Sequence, residues 1–331
     1  MTEAESPTPR PLLVSLARLA LWLTTAAVGV LAASQAFGTT LLSPLFVLQA
    51  LTPYVAVAAI GLAVVGLIVR MWSTVAINVV AVAGLATVLM PVVRGFDPPT
   101  VPEATPRMTV AMSNLLYGNP NIDEAATMLL SVDADLLAIV EYHPSAAAAL
   151  ATAGVAERYP YRSELPRNDR TGLVLFSRLP IVESVVAPIG HQLGIDATVD
   201  VGGIATRVLV VHPVPGTKQG DVSLWSDDLA TIGRTAAASD LPTIVVGDFN
   251  ASRWHPAFRH LLGTGLTDLH EQLGEGWSRS WPANRALPPF VRIDHLLLRN
   301  GMIGIDVNDL EVPGSDHRGF VATVALPAAV G

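Results

Sequence analysis

Between Leu19 and Val69 the chain carries no Asp, Glu, Lys or Arg, and after Arg70 it is uncharged again from Met71 to Val93. About 20 consecutive apolar residues are enough to cross a bilayer. The first run is too long for one crossing. It divides at 38–44, where Gly, Thr, Ser and Pro mark a turn. This reading predicts three transmembrane helices, at 19–37, 45–69 and 74–93, behind an N-terminal cytoplasmic tail over 1–18. The competing reading is a set of buried helices in a soluble core. It requires a polar face, which these stretches lack.

The few charges near the helices set an orientation. Arg10 and Arg18 precede the first span and Arg70 sits in the second connection, while the first connection is uncharged. Basic residues stay cytoplasmic. Everything beyond Val93 is then expected outside the cytoplasm, anchored in the cell membrane by several passes. Arg94 falls on the wrong side, next to Asp97. A cleaved signal peptide ending near Ala32-Ala33-Ser34 is a second reading of the first span, and it leaves the later segment on the same side. Cysteine is absent, which excludes disulfides and thiolate metal sites. Residues 94–107 are Pro-rich and aperiodic. They read as a stiff linker that holds a domain at 108–331 a short distance from the bilayer.

That domain alternates short apolar runs with helical patterns. Strands are expected at 108–115, 136–140, 172–177, 181–186, 197–201, 206–211, 243–246, 293–298 and 319–325, and helices at 122–131, 145–153 and 223–238. The runs 172–177 and 181–186 read as a pair joined by Arg178-Leu179-Pro180, and Gly202-Gly203 marks a hairpin. The mixture predicts an α/β domain with mixed sheets.

Several apolar runs end in polar strings: IVEY with Glu141, VVHP with His212, GDFN with Asp248 and Asn250, RIDH with Asp294, and SDH with Asp316 and His317. Each has a plain structural explanation. Asp and Asn favour turns, Glu141 could end a strand facing solvent, and Asp316-His317 could be a surface ion pair. Yet a charged group closing a buried strand needs a partner, and a divalent cation with hard oxygen ligands is one. In GDFN, a carboxylate and an amide two residues apart can take a metal-bound water and a phosphoryl oxygen.

In this order, and with the IDH string between GDFN and SDH, the domain resembles the endonuclease/exonuclease/phosphatase family over 108–326. The resemblance implies a four-layer α/β sandwich, two mixed β-sheets flanked by helices, with the site at one edge. It also implies Mg²⁺, with Mn²⁺ as a substitute, held by Asn114, Glu141 and Asp316. His212 would contact the phosphate, Asp248 would orient or deprotonate the attacking water, and Asn250 would hold the transition state. Asp294 would orient His317. Val140 stands where the family often has Gln before the metal-binding Glu.

Substrate is less constrained. Arg10, Arg18, Arg70 and Arg94 are the basic residues before Val101, and Glu3, Glu5 and Asp97 the acidic ones, so the rest of the chain carries a formal net of −9. Nucleic-acid binders usually show a basic stripe, and Lys218 is the single lysine. Arg158, Arg162, Arg167, Arg170 and Arg178 could line a phosphate groove or lie in a solvated loop. Trp277, Arg279, Trp281 and Arg285 could rim the site or pack on a sheet edge. The expected partners are the bilayer, through the three helices, and a phosphate ester, either a phospholipid head group or extracellular nucleic acid. No protein partner is inferable. The rival of another class is a non-catalytic membrane protein whose outer domain keeps the fold and binds a partner.

Overall fold

A computed structural model of the chain describes residues 10–94, 100–217 and 222–327. Residues 1–9 of the expected tail, 95–99 of the expected linker and Lys218 lie outside the described residues. Four helices come first: α1 (Arg10–Phe37), α2 (Ser43–Ala50), α3 (Thr52–Ile68) and α4 (Trp72–Arg94). The expected tail is therefore partly helix, since α1 begins at Arg10.

Among the described residues, two helices are long and apolar enough to cross a membrane, α1 over Leu12–Phe37 and α4 over Trp72–Arg94. The second expected span, 45–69, is not one helix. It is the pair α2 and α3, bent by 84°. Pro53 in the first turn of α3 has no N–H to continue a helix from α2. α3 is 17 residues long, about 26 Å at 1.5 Å per residue, against a hydrocarbon core of about 30 Å. Small residues let the helices pack: Val28, Ala59 and Ala81 meet in one cluster, and the buried Asn78 amide donates to the Thr25 hydroxyl at 2.9 Å.

The remainder is an α/β fold. β1 (Arg107–Asn114), α5 (Ile122–Ser131), β2 (Leu136–Val140), α6 (Pro144–Thr152), α7 (Val155–Arg158), β3 (Tyr161–Leu165) and β4 (Leu173–Ser177) form its first part. β5 (Ile181–Ile189), β6 (Gln192–Val201), β7 (Ile204–Val211), α8 (Val222–Ala237), β8 (Thr243–Asp248), α9 (Pro256–Leu262), β9 (Thr267–Asp268), α10 (Leu269–Gln272), β10 (Asp294–Arg299), β11 (Ile303–Glu311) and β12 (Arg318–Ala325) follow. One sheet has the order β11-β12-β1-β2-β4-β3 and the other β5-β6-β7-β8-β10-β9. Each is mixed: β1 and β2 are parallel, as are β7 and β8, and the other pairs are antiparallel.

The alternation of strand side chains explains the layering. Leu136, Ala138 and Val140 of β2 face the second sheet, where they meet Val208, Val210, Ile244 and Val246. Leu137 and Ile139 face the other way, against Ala125, Leu129 and Leu150 of α5 and α6. Leu209, Val245 and Leu297 cover the second outer face with Trp225, Leu229 and Phe258 of α8 and α9. Strands buried on both faces read as continuous apolar runs, which is why they were visible in the sequence.

One expected pairing is wrong. β4 and β5 do not form a hairpin; they belong to different sheets. β4 is buried throughout while β5 is mostly exposed, and Leu179 between them packs on the core between the sheets. The chain crosses from one layer to the next there, so the Arg178-Leu179-Pro180 turn is a crossover. The Gly202-Gly203 hairpin does form, between β6 and β7, with φ of 62° and 92°, the left-handed region that glycine tolerates.

The membrane-length helices and the α/β domain touch directly. The Gln35 amide donates to the Trp254 carbonyl at 2.9 Å, and the Tyr54 hydroxyl to the Phe290 carbonyl at 2.9 Å. Val88 and Val92 of α4 pack on Trp254. α2 lies against the domain, its Phe46 ring 4.9 Å from Trp225 and 4.6 Å from His255. The C-terminal parts of α1 and α4 thus meet the domain together, and α3 runs back between that end and the turn at Arg70.

His255 is buried at this junction. Its Nδ1 accepts from the Ser252 N–H at 2.8 Å and its Nε2 donates to the Phe46 carbonyl at 2.9 Å, a pattern that requires the neutral ring. Burial pushes its pKa down to about 4. The unfolded chain takes up this proton near pH 6.5 and the folded one only near 4. Between those values the unfolded state binds more protons, so acid costs stability, about 2 kcal/mol from this group by pH 5. In the full-length protein in detergent, the unfolding midpoint should drop between pH 7 and pH 5, and should drop less in His255→Leu. An equal drop in both proteins would contradict this assignment.

Candidate active site

The polar strings converge on one rim because of strand direction. β1 and β2 run the same way and end at Asn114 and just before Glu141. β7 and β8 end just before His212 and at Asp248. β10 and β12 run opposite to these neighbours, so their first residues, Asp294 and the position after His317, lie at the same rim. Asp294 is the register partner of Asp248. One sheet supplies Asn114, Glu141 and His317, and the other His212, Asp248 and Asp294.

Asp248 is the centre. Its Oδ1 accepts from the Asn250 N–H at 2.7 Å. Three nitrogens surround its Oδ2: Asn114 Nδ2 at 3.1 Å, His212 Nε2 at 3.6 Å and His317 Nε2 at 3.7 Å. Asn114 Nδ2 also donates to Glu141 Oε1 at 3.3 Å, and the Tyr117 N–H to Glu141 Oε2 at 2.5 Å. On the other side His317 Nδ1 pairs with Asp294 Oδ2 at 2.8 Å, and its Nε2 lies 3.8 Å from Asp316 Oδ1. Glu141 and Asp316 therefore belong to one connected set, through Asn114, Asp248 and His317.

Electrostatics follow from burial and from this crowding of acids. Burial raises the Asp248 pKa, Asp294 adds to the rise, and His317 and His212 oppose it. For His317, burial works against the charge, but Asp294 and Asp248 outweigh it and push the pKa up to about 10. The imidazole is thus held protonated between two carboxylates. The backbone is strained at the same rim: Glu141 has φ 55° and Asn250 φ 47°, unusual for residues with side chains and costing about 1–3 kcal/mol each. Gly247 has φ 153°, and a Cβ there would collide with the Val211 carbonyl, so only glycine lets β8 lie this close to β7.

The residues fit a divalent cation. Asp294 Oδ1 and Asp316 Oδ1 are buried without a hydrogen-bond partner among the described residues, and carboxylate oxygens are hard ligands. Asp248, Asp294 and His317 offer one ligand atom each within 4.8 Å of one another. That trio differs from the one expected from sequence, and its His317–Asp294 hydrogen bond already occupies one oxygen. Asn114 is more engaged than expected: its Oδ1 accepts from the Leu116 N–H at 2.9 Å, so its amide spaces two carboxylates. Asn250 turns its Nδ2 to the Pro213 carbonyl at 2.9 Å and so ties the loop after His212 to the loop after Asp248.

Other residues at the rim were not anticipated. Ser315 Oγ donates to the Asn114 carbonyl at 2.7 Å and accepts from the His317 N–H at 3.0 Å. His295, on the opposite face of β10 from Asp294, pairs with Asp268 at 2.6 Å and with the Ala251 carbonyl at 2.8 Å, which anchors the GDFN loop from behind. Strand alternation in RIDH was the available signal. Of the two tryptophans left open, Trp281 reaches the site, its Nε1 donating to Asp316 Oδ2 at 3.2 Å, while Trp277 packs near Trp254 with ring centroids 5.6 Å apart. Of the arginine cluster, Arg158, Arg162, Arg167 and Arg178 pair with Asp133, Glu164 or Asp169, so most of its charge is neutralised locally.

A family model described as the endonuclease/exonuclease/phosphatase family matches residues 111–317. No curated protein matches the sequence. Among solved structures, a humanized D. rerio TDP2 carrying 14 mutations is similar over 66% of this chain and 99% of its own, at 18% identity and TM-score 0.58. D. rerio TDP2 complexed with a single-strand DNA product is similar over 66% and 98%, at 17% identity and TM-score 0.57. An endonuclease/exonuclease/phosphatase from Beutenbergia cavernae is similar over 68% and 73%, at 18% identity and TM-score 0.52. At these identities the likeness is one of fold.

Proposed function

The chain belongs to the endonuclease/exonuclease/phosphatase family, and on that basis we propose that it is a membrane-anchored, extracytoplasmic, Mg²⁺-dependent phosphoesterase. The observation that carries this reading is the continuous set of polar contacts from Glu141 through Asn114, Asp248 and His317 to Asp294, which bridges both sheets at one rim.

Asn114, Glu141 and Asp316 would hold the ion, with Mn²⁺ as a substitute. When bound, a divalent cation neutralises phosphoryl oxygens and the charge that develops on them. Asp248 accepts the proton of the attacking water, which the surrounding nitrogens help to orient. His212 and Asn250 face the phosphoryl group, and Asn250 also fixes the His212 loop. His317, held protonated by Asp294 and Asp248, donates a hydrogen bond to the phosphoryl oxygens or the leaving oxygen. A binding module would not need a protonated histidine between two buried carboxylates.

The anchoring and orientation rest on α1 and α4. Both have their C-terminal ends at the α/β domain, so Arg18 and Arg70 lie at the far end of the bundle. Basic residues mark the cytoplasmic side, which supports a domain on the outside. The substrate is a phosphate ester met there, a phospholipid head group or extracellular nucleic acid.

Full-length protein in detergent should release nitrophenol from bis-p-nitrophenyl phosphate with Mg²⁺ and stop when EDTA is added. Sphingomyelin and plasmid DNA assayed on the same preparation separate the two substrate classes. Absence of metal-dependent turnover on all three would sink the proposal.

A further inference from the structure

A cleft of about 390 Å³ lies where α3 and α4 meet the α/β domain, within the 300–1,000 Å³ typical of ligand pockets. One wall is aliphatic and comes from the membrane-length bundle: Val57 and Ile60 of α3, Ala86 and Leu89 of α4. The other is aromatic and comes from the domain: Trp254, Trp277 and Phe290. Val57 and Ile60 are 70% and 53% exposed, so the helical wall continues onto the outward surface of the bundle. The lining residues of α3 lie within its first nine residues, about 12 Å of rise, so the cleft occupies the end of the bundle nearest the domain.

Arginines mark the domain side. Arg279 and Arg292 both line the cleft. Arg279 stands 5.9 Å from the centre of the Tyr54 ring. Arg292 is buried, and although its Nη2 pairs with Asp268 at 3.1 Å, its Nε and Nη1 have no hydrogen-bond partner among the described residues. An aliphatic wall, an aromatic girdle and arginine together match the depth profile of a lipid, from hydrocarbon through the interfacial belt to the phosphate.

We propose that this cleft holds one acyl chain of a bilayer phospholipid, with the lipid phosphate toward Arg279 and Arg292. The proposal rests on the reading that α1 and α4 cross a bilayer. It is separate from the chemistry at Asp248. The two regions share the 276–292 segment, whose Trp281 bonds Asp316 while its flanks line the cleft.

The test uses full-length protein in nanodiscs of phosphatidylcholine and phosphatidylglycerol, with a trace of phosphatidylglycerol that carries a diazirine on one acyl chain. After illumination, adducts are mapped by peptide mass spectrometry. Labelling on peptides containing Trp254, Trp277 or Phe290 is expected, measured against labelling at Leu23 and Val30 on the outward face of α1, which are 63% and 55% exposed. Ala86→Phe narrows the cleft from the α4 side and should cut the domain labelling about tenfold while the α1 labelling stays the same. Val57→Phe, on an exposed helix position, serves if Ala86→Phe does not fold. Domain labelling no higher than that of a soluble control protein, or undiminished in a folded cleft-filling variant, overturns the proposal. The experiment runs in EDTA and needs no turnover. A failure here therefore leaves the phosphoesterase reading standing, and a failure of nitrophenyl phosphate hydrolysis leaves the lipid site standing.

Discussion

Asp248→Asn and His317→Gln should each reduce metal-dependent hydrolysis of bis-p-nitrophenyl phosphate by ~10³-fold, while the unfolding midpoint stays near that of the parent. General base catalysis is worth about 10²–10⁴ and transition-state electrostatics about 10²–10³, and in the proposed mechanism each residue supplies one of these. Asp248→Asn keeps the shape of the side chain but removes the oxygen charge on which Asn114, His212 and His317 converge. It also removes one of the two carboxylates that hold His317 protonated, so it weakens both partners. The double variant should therefore lose little more than the worse single one. Glutamine is preferred to alanine at 317, because alanine would leave Asp294 buried without its partner, a loss that costs about 3–5 kcal/mol on its own. Turnover within tenfold of the parent in either folded variant would remove the residue from the chemistry.

The second large effect lies away from that centre. Phe46→Ala should destabilise the full-length protein by about 3–5 kcal/mol, the usual cost of truncating a buried aromatic ring. Phe46 comes from α2, before all of the α/β domain in sequence, yet its ring fills a slot between Trp225 and His255 and packs in the same cluster as Val245, Phe249 and Leu297. The unfolding midpoint in detergent reads the effect, with Val47→Ala on the same short helix, 49% exposed, as the comparison. If both changes cost the same small amount, α2 is only lying against the domain. A domain cut free of residues 1–100 would expose this slot, so assays of an isolated fragment report on a weakened fold.

Much of the domain was legible because its central strands, such as β2, β4 and β8, are buried on both faces and so read as apolar runs, and several runs are closed by a polar string. The helix at 122–131 and the strand at 136–140 have the bounds the periodicity suggested. The convergence of Glu141, Asp248, Asp294 and His317 on one rim follows from strand direction, which the sequence does not display; the order of the strings supplied it through the family resemblance. Asn114 was found the same way, but its double donation to Glu141 and Asp248 depends on how two sheets meet and has no local signature. The β4–β5 error has a clear origin. A short Arg-Leu-Pro connection suits either a hairpin or a crossover, and only the contrast between a fully buried β4 and a mixed β5 separates them. The broken span at 45–69 was signalled by Pro53 and Gln49. Gln49 is wholly buried, with its amide donating to Ser34 Oγ at 3.0 Å and the Thr39 carbonyl at 2.8 Å, a polar anchor unsuited to the middle of a lipid-facing helix.

The seating of the domain on α1, α2, α3 and α4 has a geometric corollary. A module on a loose leash samples every heading and can reach substrate from any side. This one is bolted down through Gln35, Phe46, Tyr54 and Val92, so the rim that carries Asp248 keeps a single bearing relative to the helices. Transplanting the α/β domain onto foreign helices would preserve every group around Asp248 and still lose that bearing.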